Sequence, residues 1–337
     1  MKILAIESSC DDTAVAIVEN GRKVLSSTAS SQIDIHKIYG GVVPEIASRA
    51  HIESITPLTK LALKEANLGL ENIDAIAVTY APGLIGSLLV GLGFAKGLAI
   101  STGLPLIPVH HIKSHIASLY ISNPELKPPF LCLVVSGGHS HILEVKDYTK
   151  IDIIAKTRDD AAGEAFDKIG RRLGFDYPGG ITLDKIAENG NSDAFELPIP
   201  LKNEENTLDF SFSGLKTAMI NIINKFEQKN VPLPIEDMCA TFRKSVVDCL
   251  TNNFICAAKQ LGYKTLAIAG GVSANSLLRR ELQKKCGKNS YSFFMPEKKY
   301  CGDNAAMVGS QAYYEFLSEK TAPLSINALA SKIISED

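Results

Sequence analysis

The stretch "KILAIESSCDDTAVAIVENGRKVLSSTAS", residues 2–30, carries the pattern that decides the fold. Residues 2–7 form a short apolar run that is suited to a buried strand. Residues 13–20 and 23–30 have the same strand-like character, and the turn-forming sequence "NGR" lies between them. The stretch therefore predicts three consecutive strands that pair as a meander.

Alternating helices and strands are predicted after this meander. Residues 44–68 and 83–103 predict helices, and residues 73–82 and 104–110 predict strands. The second of these helices is apolar, but glycine, serine and lysine residues interrupt it. We therefore interpret it as a buried helix and not as a membrane span.

The same order of elements begins again in the second half of the chain. Residues 129–140, 141–148 and 150–158 predict a second three-strand meander. Further elements are expected after several helical segments: a strand at 265–271, a helix from about Asn275, a strand at 291–296 and a last helix from about Asp303. The repeated order predicts a duplicated α/β architecture.

The composition sets limits on the function. The chain has 337 residues, is 45% hydrophobic and 21% charged, and carries a net charge of −2. These values are typical of a soluble globular protein, and they give no overall basic field for binding nucleic acid. The seven cysteines are odd in number and never spaced as CxxC, which favours reduced thiols in a cytosolic protein over a zinc ribbon.

The segment "VHHIKSH", residues 109–115, contains three of the seven histidines. His111 and His115 are four residues apart, so they would stack on one helix face and could chelate a divalent ion. A zinc protease would need a glutamate directly after the first histidine, but Ile112 stands there. A metal site and a purely structural pair both remain open. The best candidate for a third ligand is Asp303, in "CGDNAAM".

Glycine turns follow several predicted strands. In "VVSGGHS", residues 134–140, Gly137 and Gly138 would permit positive φ and a close approach of the backbone to a ligand. A second glycine pair opens "GGVSANSLLR", residues 270–279, between a strand and a helix. Each turn alone could be an ordinary hairpin or loop. Together they favour a nucleotide or phosphate site at the strand ends.

Acidic residues are placed where they could bind sugar hydroxyls or protons. Asp167 is predicted inside an amphipathic helix and Asp184 in the next one, where both could equally belong to an exposed acidic face. In the first turn, the adjacent Asp11 and Asp12 oppose anion binding unless a cation is near. Taken alone, that turn is most simply interpreted as a polar hairpin.

These segments together resemble the TsaD family, the tRNA adenosine threonylcarbamoyltransferases that were formerly called glycoproteases. The resemblance covers nearly the whole chain, and "FSFSGLKTA" is similar to the bacterial branch. The matching blocks are "IESSCDDT", "YGGVVPEIASRAH", "TYAPGLIGSLLVG", "VHHIKSH", "LVVSGGHS", "GEAFDKIGRRLG", "YPGG", "DFSFSGLKTA", "GGVSANSLLR" and "CGDNAAM".

The resemblance implies a fold of the actin/Hsp70/sugar-kinase type, with two RNase H-like lobes around an interlobe nucleotide cleft. We place the N-terminal lobe at residues 1–125 and the C-terminal lobe at residues 126–337, with the last helix packing at the lobe interface. The resemblance also implies one divalent metal ion, most often iron and sometimes zinc, bound by His111, His115 and Asp303. The residues implied for binding threonylcarbamoyl-adenylate are Val134, Val135, Ser136, Gly137, Gly138, Asp167, Gly180, Asp184 and Asn275.

The implied reaction transfers a threonylcarbamoyl group from that adenylate to N6 of adenosine 37, in tRNAs that read codons beginning with A. The implied partners are tRNA and proteins of the TsaB and TsaE types, acting in the cytoplasm. We assign Asp11 as the base or the amine-orienting group, against the alternative of a structural turn residue. Two other functions remain as alternatives: an actin-fold ATPase or kinase, and a non-catalytic scaffold of the same complex. The histidine pair and the "CGDNAAM" block argue against the scaffold.

Overall fold

A computed structural model describes residues 1–202, 204 and 207–335 of the chain. The chain forms two compact units. Unit 1 comprises Met1–Pro129, Val145–Asp152 and Met295–Asp337, and unit 2 comprises Phe130–Glu144 and Ile153–Phe294. Each unit is built on one five-stranded sheet.

The strands and helices of the described residues are numbered along the chain. The strands are β1 (Lys2–Glu7), β2 (Asp12–Glu19), β3 (Lys23–Ser31), β4 (Ala75–Ala81), β5 (Leu106–His110), β6 (Phe130–Val135), β7 (Ser140–Val145), β8 (Ile151–Lys156), β9 (Thr265–Ala269) and β10 (Ser292–Phe294). The helices are α1 (Ile33–His36), α2 (Pro44–Glu65), α3 (Ile85–Thr102), α4 (His111–Ser122), α5 (Ala162–Arg172), α6 (Gly179–Ile186), α7 (Ser213–Gln228), α8 (Ile235–Leu261), α9 (Ser276–Lys288) and α10 (Ala305–Leu317). Short 3-10 turns connect several of them.

The sheet of unit 1 has the strand order β3-β2-β1-β4-β5. The first three strands pair antiparallel, as the opening meander predicts. Strand β4 pairs in parallel with β1, and β5 pairs in parallel with β4. Side chains of β1 alternate between two cores, as a period of two requires. Leu4 and Ile6 pack under α2 and α3, whereas Ile3 and Ala5 pack under α10. The sheet is therefore covered on both faces.

Helix α3 corresponds to the apolar run that we interpret as a buried helix. By length and composition alone it could cross a membrane, a test that core helices of soluble proteins also pass. Leu88 and Leu92 pack into the core that it shares with β1 and β4. A Cβ atom on Gly91 would collide with Ser8 Oγ, so the glycine permits close packing of this helix against the end of β1.

The sheet of unit 2 has the strand order β10-β9-β6-β7-β8. Written in the opposite direction, this order is β8-β7-β6-β9-β10, and it matches β3-β2-β1-β4-β5 of the first sheet strand by strand. The pairs β6–β9 and β9–β10 are parallel, like their counterparts in unit 1. The duplication predicted from the order of elements is therefore confirmed.

The last helix, α10, belongs to unit 1, which differs from the predicted division into 1–125 and 126–337. Ala305 and Val308 on this helix pack with Ile3 and Val18 in the core on the second face of the first sheet. Removing α10 would expose that face, so the segment from Met295 onward folds with the N-terminal sheet.

Candidate functional site

The two histidines and Asp303 converge within unit 1. Helix α4 begins at His111, directly after β5, so His111 and His115 occupy successive turns of one helix face. Asp303 lies two residues before α10. Its Oδ1 is 3.6 Å from Nε2 of His111 and 3.3 Å from Nε2 of His115. The structure thus brings together the three residues that the sequence analysis assigns as metal ligands.

The spacing and burial of this triad fit a metal ion. Donor atoms at ~2.0–2.2 Å from a tetrahedral ion lie ~3.3–3.6 Å apart. The two Nε2–Oδ1 distances, 3.3 and 3.6 Å, agree with that spacing, and one donor atom from each of the three residues lies within 4.8 Å of the others. His115 is fully buried, yet neither of its ring nitrogens makes a hydrogen bond with any residue that the structure describes. Since buried polar atoms normally have partners, a bound ion would account for Nε2 of His115, the nitrogen that faces Asp303.

The electrostatics of the triad also favour a cation. Burial alone would lower the pKa of His111, but the carboxylates of Asp303 and Glu7 raise it to about 9. Burial acts to raise the pKa of Glu7, but His111 outweighs it and holds that pKa below its usual value. Glu7 therefore remains a carboxylate, and two carboxylates surround the His111 imidazole.

The turn between β1 and β2 carries Asp11 and Asp12. Asp11 is half-buried, and its carbonyl oxygen accepts a hydrogen bond from Gln32 N at 3.1 Å. Burial raises the pKa of Asp12 to about 7; the Ser31 hydroxyl opposes this shift, and the carboxylates of Asp303 and Asp11 add to it. Because Asp12 is partly protonated near neutral pH, the repulsion expected between the adjacent acids is reduced.

In unit 2, the predicted glycine turn follows β6. Val134 and Val135 end that strand with their side chains buried in the core, so only their backbones could face a ligand. The turn is closed by a 2.8 Å hydrogen bond from Ser136 N to the carbonyl oxygen of His139. Gly137 and Gly138 lie exposed at its tip.

Gly137 and Gly138 do not adopt the positive φ that glycine would permit. The residue with left-handed φ at this sheet edge is Gly270, with φ of +90°, directly after β9. A Cβ atom there would collide with the carbonyl oxygen of Val135, because β6 and β9 end side by side. A Cβ atom on Gly137 would meet nothing within 4 Å among the described residues.

Helix α5 begins against the same turn. The amide of Gly163, in its first turn, donates to the carbonyl oxygen of Ser136 at 3.2 Å. A Cβ atom on Gly163 would be 2.6 Å from that oxygen, so the close approach requires glycine. The amide of Ala162, the first residue of α5, is paired as well, with Ser140 Oγ at 3.0 Å. An anion such as a phosphate would therefore meet the exposed glycines at the tip of the turn and not the start of this helix.

Asp167 and Gly180 are in direct contact. Asp167 Oδ1, on α5, accepts a hydrogen bond from Gly180 N, in the first turn of α6, at 2.9 Å. A side chain on Gly180 would crowd this contact, since its Cβ would lie 3.4 Å from Asp167 Oδ1. The pair fixes the start of α6 against α5.

Asp184 and Asn275 each bind the first turn of α9. Asp184 Oδ2 accepts from Ser276 N, and its Oδ1 accepts from Ser276 Oγ, both at 3.0 Å. Asn275 caps the helix, because its Oδ1 accepts from Leu278 N at 3.0 Å. The substrate-binding residues predicted from sequence therefore gather at the ends of β6 and β9 and on the helices that follow them.

The structure adds Arg243, which the sequence analysis missed. This residue of α8 is only 5% exposed. Its Nη1 donates to Asp184 Oδ1 at 2.9 Å and to Glu188 Oε1 at 2.6 Å. The available signal was an arginine inside the largely apolar segment "MCATFRKSVV", because a buried arginine needs acidic partners.

Comparison with known proteins assigns the family. The family model TsaD, tRNA N6-adenosine threonylcarbamoyltransferase, matches residues 23–310. A protein of that name from Clostridium novyi is 52% identical over 336 residues, which cover 100% of this chain and 98% of the relative. Another, from Clostridium perfringens, is 53% identical over 97% of this chain and 96% of the relative.

Solved structures with low sequence identity share the fold. HypF from T. kodakarensis matches with a TM-score of 0.63 at 15% identity, over 94% of this chain and 48% of that one. The activator of the 2-hydroxyisocaproyl-CoA dehydratase from Clostridium difficile matches with a TM-score of 0.54 at 14% identity, over 95% and 97%. These likenesses confirm the predicted duplicated fold of the actin/Hsp70/sugar-kinase type. From the full-length relatives and the family model, the chain belongs to the TsaD family, the tRNA N6-adenosine threonylcarbamoyltransferases.

Proposed function

We propose that this protein transfers the threonylcarbamoyl group from threonylcarbamoyl-adenylate to N6 of adenosine 37, in tRNAs that read ANN codons. The observation that carries the proposal is the cluster of His111, His115 and Asp303, in which both histidines are buried, in a chain whose full-length relatives are named for this activity. No contact in the described residues favours the alternatives, an actin-fold ATPase or kinase and a non-catalytic scaffold.

His111, His115 and Asp303 would hold one divalent metal ion. Two imidazoles and one carboxylate are the donor set of many mononuclear iron sites and are also compatible with zinc, so iron is the first candidate and zinc the second. Once bound, the ion would supply Lewis-acid polarisation of the donor and a template for its position. The contribution of the chain is a pre-formed, largely buried set of ligands.

The substrate-binding assignment rests on unit 2. The exposed turn at Gly137 and Gly138 suits a phosphate, because backbone amides of such a turn can face an anion. Asp167 and Asp184 offer carboxylate oxygens of the kind that accept hydrogen bonds from ribose hydroxyls. Asn275 lies beside Asp184, at the first turn of α9.

No covalent enzyme intermediate is needed for the reaction. The donor is a mixed carbamic–phosphoric anhydride: the N6–carbon bond forms, the carbon–oxygen bond to phosphate breaks, and AMP leaves. Cys10 is not suited as a nucleophile, because burial raises the pKa of its thiol far above the usual range. The adenine amine is a weak nucleophile, so the protein must position it and accept its proton. We assign that role to Asp11, with a purely structural turn residue as the alternative.

The partners follow from the substrate and the charge. With a net charge of −2, the chain has no overall basic surface for tRNA. Partner proteins of the TsaB and TsaE types would supply part of the RNA-binding surface, and the reaction would take place in the cytoplasm.

Mass spectrometry of tRNA nucleosides tests the function. The protein is incubated with threonylcarbamoyl-adenylate, unmodified tRNA and the two partner proteins. We expect threonylcarbamoyladenosine with the wild type and with Asp34→Asn, a change at an exposed carboxylate of the same unit. Asp303→Asn should abolish the product. No product with wild-type protein, together with ATP turnover that does not depend on tRNA, would favour the ATPase or kinase instead.

A further inference from the structure

Glu7 is a fully buried carboxylate at the end of β1. Its Oε1 accepts a hydrogen bond from Ser9 N at 2.6 Å, and its Oε2 accepts one from Thr79 Oγ1 at 2.6 Å. Its Oε2 also lies 3.2 Å from Nδ1 of His111. A buried carboxylate is costly unless donors surround it, so this contact contributes to holding the charge in place.

The contact with Glu7 determines which nitrogen of His111 carries a proton. If Nδ1 were bare, its lone pair would face a carboxylate oxygen inside the protein at 3.2 Å, which is repulsive. If Nδ1 is protonated, it donates to Glu7, and Ser9 Oγ at 3.1 Å can share the same proton as a second acceptor. The arrangement therefore requires a proton on Nδ1, and Nε2 is the nitrogen that is turned towards Asp303.

We propose that Glu7 is the positioning residue of the metal ligand His111: it holds the tautomer with the proton on Nδ1, so that Nε2 is the atom that binds the ion. This inference rests on the proposed metal site. A carboxylate that accepts from the outer nitrogen of a ligating histidine fixes the ring orientation and makes the imidazole a stronger ligand. Nδ1 of His115 makes no hydrogen bond with any described residue, so no carboxylate orients that ring from its outer nitrogen.

The substitution Glu7→Gln tests the proposal with little change in volume. Glutamine has one acceptor oxygen, so one of the donors that face Glu7 would meet an NH2 group, and the charge-assisted bond to His111 would be lost. We expect the affinity for zinc alone, measured by competition with a chromophoric chelator, to fall about 10–100-fold. Thr13→Val is the matched control, since it removes the hydroxyl 2.7 Å from the ring of another buried histidine, His51; zinc affinity should be retained.

A second measurement needs no variant and reports the tautomer itself. Long-range 1H–15N spectra of zinc-loaded wild-type protein, with His111 assigned by substitution, should show a proton on Nδ1 and zinc on Nε2. Zinc on Nδ1 would overturn the inference, and so would a Glu7→Gln affinity within threefold of wild type. A wrong assignment of the metal site would give a different result, because His111→Ala would then also leave zinc binding intact.

Discussion

Arg243 of α8 donates through Nη1 to Oδ1 of Asp184 at 2.9 Å, and the same nitrogen reaches Glu188 at 2.6 Å. Through this guanidinium, the middle of α8 is joined to α6. Since Asp184 also accepts from the first residue of α9, one buried arginine organises three helices around a residue assigned to substrate binding.

Replacing this arginine tests that organisation. We expect Arg243→Met to destabilise unit 2 by about 3 kcal/mol, because it leaves the Asp184 carboxylate without its cation. A calorimetric titration with a stable adenylate analogue should also show weaker binding. Arg172→Met is the control, since Arg172 pairs with Glu227 at the surface; its melting temperature should barely change. Equal melting temperatures for both variants would contradict the role of Arg243.

Metal binding should depend on pH. Without the ion, the carboxylates of Asp303 and Glu7 raise the pKa of His111 to about 9 against the effect of burial. A proton must then leave the ring before Nε2 can bind a cation, so the apparent affinity should fall about tenfold for each pH unit below that pKa. Zinc titrations at pH 6, 7 and 8 measure the slope. In Asp303→Asn the overall affinity should be lower and the slope flatter, because one of the carboxylates that raise the pKa is gone. An affinity independent of pH would contradict the assignment of His111 as a ligand.

A substitution in the glycine turn should weaken binding of the adenylate without preventing folding. A Cβ atom on Gly137 meets no described atom within 4 Å, so Gly137→Val should fold normally. Its side chain would fill the space beside the amides that we propose for phosphate binding. Calorimetry with the adenylate analogue should show at least a tenfold loss of affinity, about 1.4 kcal/mol.

Gly270→Ala supplies the contrast. Positive φ and the neighbouring carbonyl of Val135 leave no room for a side chain, so this variant should lose stability. Unchanged adenylate affinity in folded Gly137→Val would mean that the turn is only a connection between two strands.

Local patterns in the sequence predict the parts of the structure that depend on neighbouring residues. The alternation of Ile3, Leu4, Ala5 and Ile6 identifies a strand that is buried on both faces. The four-residue spacing of the histidines places both on one face of α4. Such features need no knowledge of distant segments.

Features that depend on distant contacts were missed or assigned incorrectly. Glycine at position 137 permits positive φ but does not require it; the requirement arises at Gly270, where β9 pairs with β6 far away in the sequence. Arg243 was missed because its partner Asp184 is 59 residues away. The predicted boundary at residue 125 assigns α10 to the C-terminal lobe, whereas α10 packs on the first sheet. Its apolar face alone does not show which of the two sheets it covers.

Asp12 should make stability depend on pH in the metal-free protein. Burial raises its pKa to about 7, whereas an aspartate in an unfolded chain titrates near ~3.9. Between these values the unfolded chain loses its proton first, so ionisation favours unfolding and stability should fall as pH rises from 4 to 7. Asp12→Asn removes this effect and should be more stable than wild type by roughly 2–4 kcal/mol at pH 8, but not at pH 4. Thermal melting with a chelator present measures the stability of both proteins at each pH. An equal stability difference between variant and wild type at pH 4 and pH 8 would contradict the shifted pKa.

Asp11 is tested through the rate of group transfer. Asp11→Asn keeps the size of the side chain but removes a base, and general-base contributions are typically ~10²–10⁴-fold. The variant should therefore bind zinc and the adenylate analogue normally, yet modify tRNA at least about a hundredfold more slowly in single-turnover experiments. If Asp11 is only a turn residue, the rate should change little and the melting temperature should fall modestly.

Asp12→Asn serves as the companion variant, because it neutralises the adjacent acid. If that change slows transfer instead, the proton acceptor is Asp12, whose pKa of about 7 suits a base at neutral pH. A rate for Asp11→Asn within about threefold of wild type, far below the range of general-base effects, would remove Asp11 from the mechanism.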